Sequence, residues 1–362
     1  MSLAIFPSGH LANLAAMLAM SRRWKTPPAA VPILAATTLL AACSPSAPSE
    51  AADAAPLGPQ LVLPVDCVLG ETCEIQNYVD RDPGPGAKDY TCATRTYQDH
   101  KGVDIRIPDM AAQRAGVDVL AAAPGRVTRL RDGVADVSVR NTGVAAVDGV
   151  ECGNGIVIDH GDGWESQYCH LAQGSLIVAQ DAEVRAGQPI ARIGLSGQTE
   201  YPHLHFSLRK DGQVVDPFAP EGGEACEARG ALWAASVSAA MAYKSGAVLN
   251  TGFSSGAVSM ESIEDGGLPP ASAHAPALVA YVRAIGLEAG DIQHLTVTGP
   301  GGDLLAETTI DPLDGPKAQY MLYAGRRTPA DGWAPGTYMA AYWVERGGRR
   351  ALERRFEINL QD

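Results

Sequence analysis

Along this chain, apolar and polar positions alternate far more often than they recur at helical spacing. His203-Leu204-His205-Phe206-Ser207-Leu208 has a period near two, the pattern of a half-buried strand. Val103, Ile105 and Ile107 alternate likewise after Gly102. Residues 119–127 read as strand, turn, strand, and Gln188-Pro189 falls in another turn between strands. Residues 154–159 and 164–170 flank His160-Gly161-Asp162-Gly163, and Asp-Gly between alternating runs marks a hairpin. From about residue 247 the pattern resumes with short strands and Gly-rich turns. Pro335-Gly336-Thr337-Tyr338 leads into one strand, and a Gly turn then leads into a last one. The expected class is all-β: an antiparallel β-sheet domain, then a C-terminal β-sandwich of immunoglobulin-like type.

Chemistry concentrates in three short pieces of this β framework. The chain has eight histidines in 362 residues. Four of them lie in His100-Lys101-Gly102-Val103-Asp104, Tyr168-Cys169-His170-Leu171 and His203-Leu204-His205. On a strand, positions i and i+2 share a face, so His203 and His205 face one way while Leu204 and Phe206 face the core. Two such imidazoles either bind one metal together, or one binds while the other serves the reaction. Gly102 lets the backbone bend so that His100 and Asp104 converge. Imidazole nitrogen with carboxylate oxygen suits zinc, and three protein ligands leave a position for water. A single histidine near a strand is more often a satisfied packing residue, and an isolated HxH pair is weak evidence. Three such motifs together are not explained by packing. His160, in its turn, reads as structural. Gly194-Leu195-Ser196-Gly197 is not the G-x-S-x-G elbow of serine hydrolases.

HKGVDI, YCHL and GLSGQTEYPHLHFSLR resemble, in order, the signatures of the lysostaphin/LytM-type zinc metalloendopeptidases. The resemblance spans about residues 95–218. It implies a LytM-like catalytic domain with Zn2+ held by His100, Asp104 and His205. It also implies that His170 and His203 act in catalysis. Cys169 inside the middle motif departs from the pattern. Some latent members of the family place an upstream Asn on the zinc; Asn77 stands where one could, although a turn or capping role is expected for it.

The N-terminus places Arg22, Arg23 and Lys25 ahead of an apolar run ending Leu40-Ala41-Ala42-Cys43. Basic, apolar, then small residues form a secretory signal, and the run is too short for a comfortable membrane span. Its end resembles a bacterial lipobox, with Cys43 as the lipidation site. The expected location is therefore exported, periplasmic and lipid-anchored, by analogy at the outer membrane of a Gram-negative cell. An exported chain meets an oxidising compartment. Six cysteines remain beyond Cys43, an even number, and Cys152 with Cys169 flank a hairpin and form the first expected disulfide. The formal net charge of −13 argues against a nucleic-acid partner.

The organisation that follows is a leader over 1–43, a Ser/Ala/Pro-rich tether over 44–60 and a metallopeptidase domain over 61–225. A linker or short helix over 226–245 leads to the accessory sandwich over 246–362. The Pro/Gly loop near residues 76–89 is expected to wall a substrate groove. By resemblance, the substrates are peptide stems of peptidoglycan and the reaction is hydrolysis of their cross-links in cell-wall remodelling. The membrane is a partner only through the lipid anchor. Non-catalytic murein-binding or amidase-activating relatives usually lack some of the ligands, whereas all five positions are filled here. A peptidase acting on protein substrates is the third reading. The oligomeric state is not legible.

Overall fold

The computed structural model describes residues 57–222, 226 and 230–361. The expected leader, its Cys43 and the tether up to residue 56 lie outside the described residues. Ten strands come first. They are β1 (Glu74–Asn77), β2 (Val103–Arg106), β3 (Asp118–Leu120), β4 (Gly125–Arg131) and β5 (Asn154–Gly161). Then come β6 (Trp164–Leu171), β7 (Glu183–Val184), β8 (Pro189–Arg192), β9 (His203–Lys210) and β10 (Gln213–Val215). Two short helices, α1 (Met110–Ala115) and α2 (Val139–Thr142), sit in connections. One sheet runs β1-β2-β9-β6-β5-β4-β7, with β10 paired to β9, while β3 and β8 form a separate pair.

Alternation divides the sheet into two faces. Val103 lies opposite Phe206 and Ile105 opposite Leu204, and all four are fully buried. Tyr168, opposite Phe206, joins the same core together with Ile156 and Ile158. The intervening residues, Asp104 opposite His205 and Arg106 opposite His203, point to the other face. A one-residue slip would exchange these faces, so burial of the apolar set determines where the polar set stands.

The chain after Cys226 returns to this core, where α3 (Ala235–Ser238) follows Trp233. Leu232, Trp233 and Met241 are buried in it, and the Leu61 N–H donates to Leu232 O at 2.8 Å. The expected Cys152–Cys169 disulfide is present, along with Cys67–Cys73 and Cys92–Cys226.

The second β region opens with β11 (Ala247–Ser254), then α4 (Met260–Asp265) and β12 (Ala277–Leu287). It continues with β13 (Ile292–Thr298), β14 (Leu304–Thr309), β15 (Lys317–Arg327), β16 (Gly336–Arg346) and β17 (Arg349–Leu360). Sheets β11-β12-β15 and β14-β13-β16-β17 enclose a core that includes Val282, Leu295, Val297, Tyr342 and Val344. This is a β-sandwich with immunoglobulin-like strand order. At the start of β16, Tyr338 Oη donates to Ala334 O at 2.8 Å, the tyrosine corner of such sandwiches.

Ion pairs tie the two β regions together. Arg106 of β2 and Arg283 of β12, both with side chains at 0% exposure, pair with the same Glu264 carboxylate oxygen from α4. Arg106 Nη1 also donates to Gln319 Oε1 at 3.1 Å.

Candidate metal centre

His100, at the entry to β2, and Asp104 and His205, facing each other across β2 and β9, are brought together. Among the described residues, these three form a group whose ligand atoms lie within 4.8 Å of one another. His100 Nε2 is 3.1 Å from Asp104 Oδ1, His205 Nδ1 is 2.9 Å from the same oxygen, and the two nitrogens are 3.2 Å apart. Ligands at about 2.0–2.1 Å on the corners of a tetrahedron stand roughly 3.3 Å apart. The triangle therefore has the dimensions of three corners around one zinc ion.

The hydrogen bonds of the outer ring nitrogens decide what the inner ones offer. His100 Nδ1 donates to Tyr78 O at 2.7 Å. Ser207 Oγ donates to Lys101 O at 2.7 Å, so it accepts from His205 Nε2 at 3.1 Å. With the outer nitrogens protonated, the inner ones are bare lone pairs. Two lone pairs and a carboxylate oxygen then converge on one point that favours a cation, either a metal ion or, without one, a proton shared with Asp104. Such anchoring of the far nitrogen is the usual support of metal-bound imidazole. Asn77 Nδ2 donates to Asp104 Oδ2 at 2.9 Å, which leaves Oδ1 turned inward. Asn77 thus neither caps a turn nor joins the triangle; it orients the carboxylate.

His203 and His170 complete the cluster. His203 Nε2 is 3.5 Å from Asp104 Oδ1, and its Nδ1 donates to Tyr201 O at 2.9 Å. His170 Nδ1 donates to Ser196 O at 2.8 Å, and its ring centre lies 4.7 Å from that of His203. His170 reaches this face irregularly. Cys169 opposes His205, so simple alternation sends the next side chain to the core. A φ of 62° at His170, uncommon for a residue with a Cβ, turns it back. The His170 N–H bonds Cys152 O at 2.8 Å, and the Cys152–Cys169 bridge closes the same loop.

Electrostatics follow from this packing. Burial opposes the Asp104 charge, but His100 and His203 outweigh it and hold the carboxyl well below its usual range. Burial, then His203 and His205, keep His170 well below the ordinary imidazole value, hence neutral. Burial also lowers His205 against the pull of Asp104. For His100, burial is overcome by Asp104 and the value rises.

Gly102 lies in the expected bend and has a further reason. A Cβ there would lie 2.6 Å from His205 Nε2 and 2.7 Å from Phe206 O, so the site needs the absence of a side chain. His160 is structural, as expected, but lies in β5, bonding Pro124 O at 2.8 Å and Ser166 Oγ at 2.7 Å. Sequence reasoning missed Ser207 and Tyr201. Ser207 continues the i, i+2 series from His205 and was open to the same periodicity argument. Tyr201 carries no sequence signal; its ring lies 3.8 Å beneath the Arg106 guanidinium and its carbonyl holds His203.

Residues 98–217 match the family model of Peptidase family M23. The DD-carboxypeptidase/endopeptidase Mpg of Neisseria meningitidis is 32% identical over 122 residues, covering 34% of this chain and 23% of that protein. The murein hydrolase activator NlpD of Escherichia coli is 34% identical over 118 residues, covering 33% and 25%. The matched segment thus spans about a quarter of these relatives' length. The catalytic domain of lysostaphin from Staphylococcus simulans aligns over 39% of this chain and 85% of its own, at 22% identity and a TM-score of 0.25.

Proposed function

We propose that this chain, which carries a domain of peptidase family M23, is a zinc-dependent endopeptidase that hydrolyses peptide cross-links of peptidoglycan. The observation that carries the reading is the anchored ring set: four imidazoles each spend one nitrogen on a protein oxygen, and three of them, His100, His203 and His205, turn the other toward Asp104 Oδ1. His100, Asp104 and His205 would hold a zinc ion, which when bound would supply Lewis acidity toward a scissile carbonyl and toward water. His170, neutral and fixed through Ser196 O, takes a proton at Nε2 and returns it to the departing amine. His203, fixed through Tyr201 O, donates to the developing oxyanion from Nε2 once that nitrogen carries a proton, and shares in proton transfer. Buried Asp104 keeps its charge opposite both rings.

A second reading, a non-catalytic activator of other wall hydrolases, is favoured by relatives named murein hydrolase activators. The complete five-residue set speaks against it. The deciding experiment is metal analysis of the purified full chain with digestion of isolated sacculi, products identified by mass spectrometry. One zinc per chain and new cleaved muropeptides are expected. Stoichiometric zinc with unchanged muropeptides, together with stimulation of an added amidase, would favour the activator.

For location, the reading is the cell envelope, anchored through lipidated Cys43. Relatives include outer membrane antigenic lipoprotein B of Haemophilus influenzae. No helix among the described residues is long and apolar enough to cross a membrane. Radiolabelled palmitate incorporation that vanishes in Cys43→Ser checks the anchor.

A further inference from the structure

A cleft of about 930 Å³ begins at His100 and Lys101 and extends past Arg209 to Val214 and Asp216. Its far wall is the loop containing Asp80 and Lys88. It continues the metal face of the sheet. Arg209 lies on β9 four residues beyond His205, hence on the same face, roughly 13 Å along the strand. Lys101 is the immediate neighbour of His100.

The charges lining this cleft are not equivalent. Its acidic groups are largely engaged. Asp80 accepts the N–H groups of Asp82, Lys88 and Asp99 at 2.9–3.1 Å. Asp89 accepts those of Thr91 and Ala93, and the Tyr243 hydroxyl. Asp216 accepts the Phe218 N–H at 2.9 Å, and burial pushes its carboxyl up to about 6. Asp82, also in the lining, accepts the Gly84 N–H at 2.8 Å, and Asp99 is exposed at the rim. The cations differ. Among the described residues, the side chains of Lys88, Lys101 and Arg209 form no hydrogen bond and no ion pair. For Arg209 the attracting charge is Glu165, which Arg129 already holds at 3.2 Å. In a chain of net charge −13, three unspent cations beside the metal face are suited to bind anions. The groups they match are carboxylates, which an Arg fork and a Lys ammonium both hold by charge-assisted hydrogen bonds.

We propose that this cleft is a carboxylate subsite, so that the substrate is an acidic peptide whose free carboxylate, within about four residues of the scissile bond, is held by Lys101 and Arg209. The proposal rests on the peptidase reading above and names its substrate class.

The test uses the full zinc-loaded chain and two probes: a cross-linked muropeptide dimer with free carboxylates, and the same dimer with them amidated. Rates and equilibrium binding are measured for wild type, Lys101→Gln, Arg209→Gln, the double variant and Arg209→Glu. Wild type should favour the free acid in kcat/KM, and the double variant should lose about 10–100-fold on the acid alone. Arg209→Glu should reverse the preference. Both residues are outside the core, so zinc content and melting temperature stay unchanged. Equal rates on both probes in wild type, or equal losses on both in the variants, overturn the subsite. If neither probe is cleaved but tighter binding of the acid disappears in the double variant, the subsite stands and the hydrolytic reading falls. If binding shows no such difference either, the subsite falls.

Discussion

Glu264→Gln should destabilise this protein as much as a large core truncation does. Two guanidinium groups with fully buried side chains share one oxygen of that carboxylate, whose own side chain is 18% exposed. Burial already brings Arg106 down to about 10 with Glu264 in place. Glutamine keeps the shape and one acceptor but removes the charge, leaving two cations facing each other. Breaking a buried pair in this way costs about 3–5 kcal/mol, whereas replacing every member by apolar groups is often nearly neutral. For a chain of this size the loss lowers the melting temperature on the order of 10 °C. Thermal unfolding followed by circular dichroism measures it, with the triple variant Arg106→Met/Glu264→Leu/Arg283→Met as the control. The control should recover most of the stability. It should not recover turnover, because Arg106 then no longer lies over Tyr201, whose carbonyl holds His203. A shift below about 2 °C in Glu264→Gln, or equal losses in both variants, would refute the argument that charge compensation joins the two β regions.

Other perturbations address the site directly. His205→Ala should abolish stoichiometric zinc, whereas His170→Ala should retain zinc and lose turnover by about 10²-fold or more; metal analysis beside rate measurement separates the two. Gly102→Ala places a methyl 2.6 Å from His205 Nε2 and should cost both zinc and activity while the far-ultraviolet spectrum stays native. Removing the Cys152–Cys169 bridge by Cys152→Ser/Cys169→Ser should slow turnover more than it weakens zinc binding, since the bridge supports His170. Asp216 gives a pH dependence. Its folded carboxyl, at about 6 against 3.8, binds protons more tightly than the unfolded one, so its contribution to stability falls as pH rises from 4 to 6. The penalty above that window is on the order of 3 kcal/mol. Asp216→Asn should therefore raise the melting temperature at pH 7.5 and leave it unchanged at pH 3.

Much of this arrangement was legible in the residues alone. Period-two alternation depends only on the order of side chains along an extended backbone. Placing His203 and His205 on one face and Leu204 and Phe206 on the other therefore required no knowledge of the neighbouring strands. The same holds for the 154–171 hairpin, whose Asp-Gly turn brings Cys152 beside Cys169. Tertiary structure decided what alternation cannot express. The φ of 62° at His170 breaks the very rule that located the other histidines. Gly102 turned out to make room for a ring that arrives from a strand a hundred residues later. The sharing of Glu264 between Arg106 and Arg283 joins elements with no common sequence pattern, because pairing across a domain boundary depends on distance in space and leaves no period along the chain.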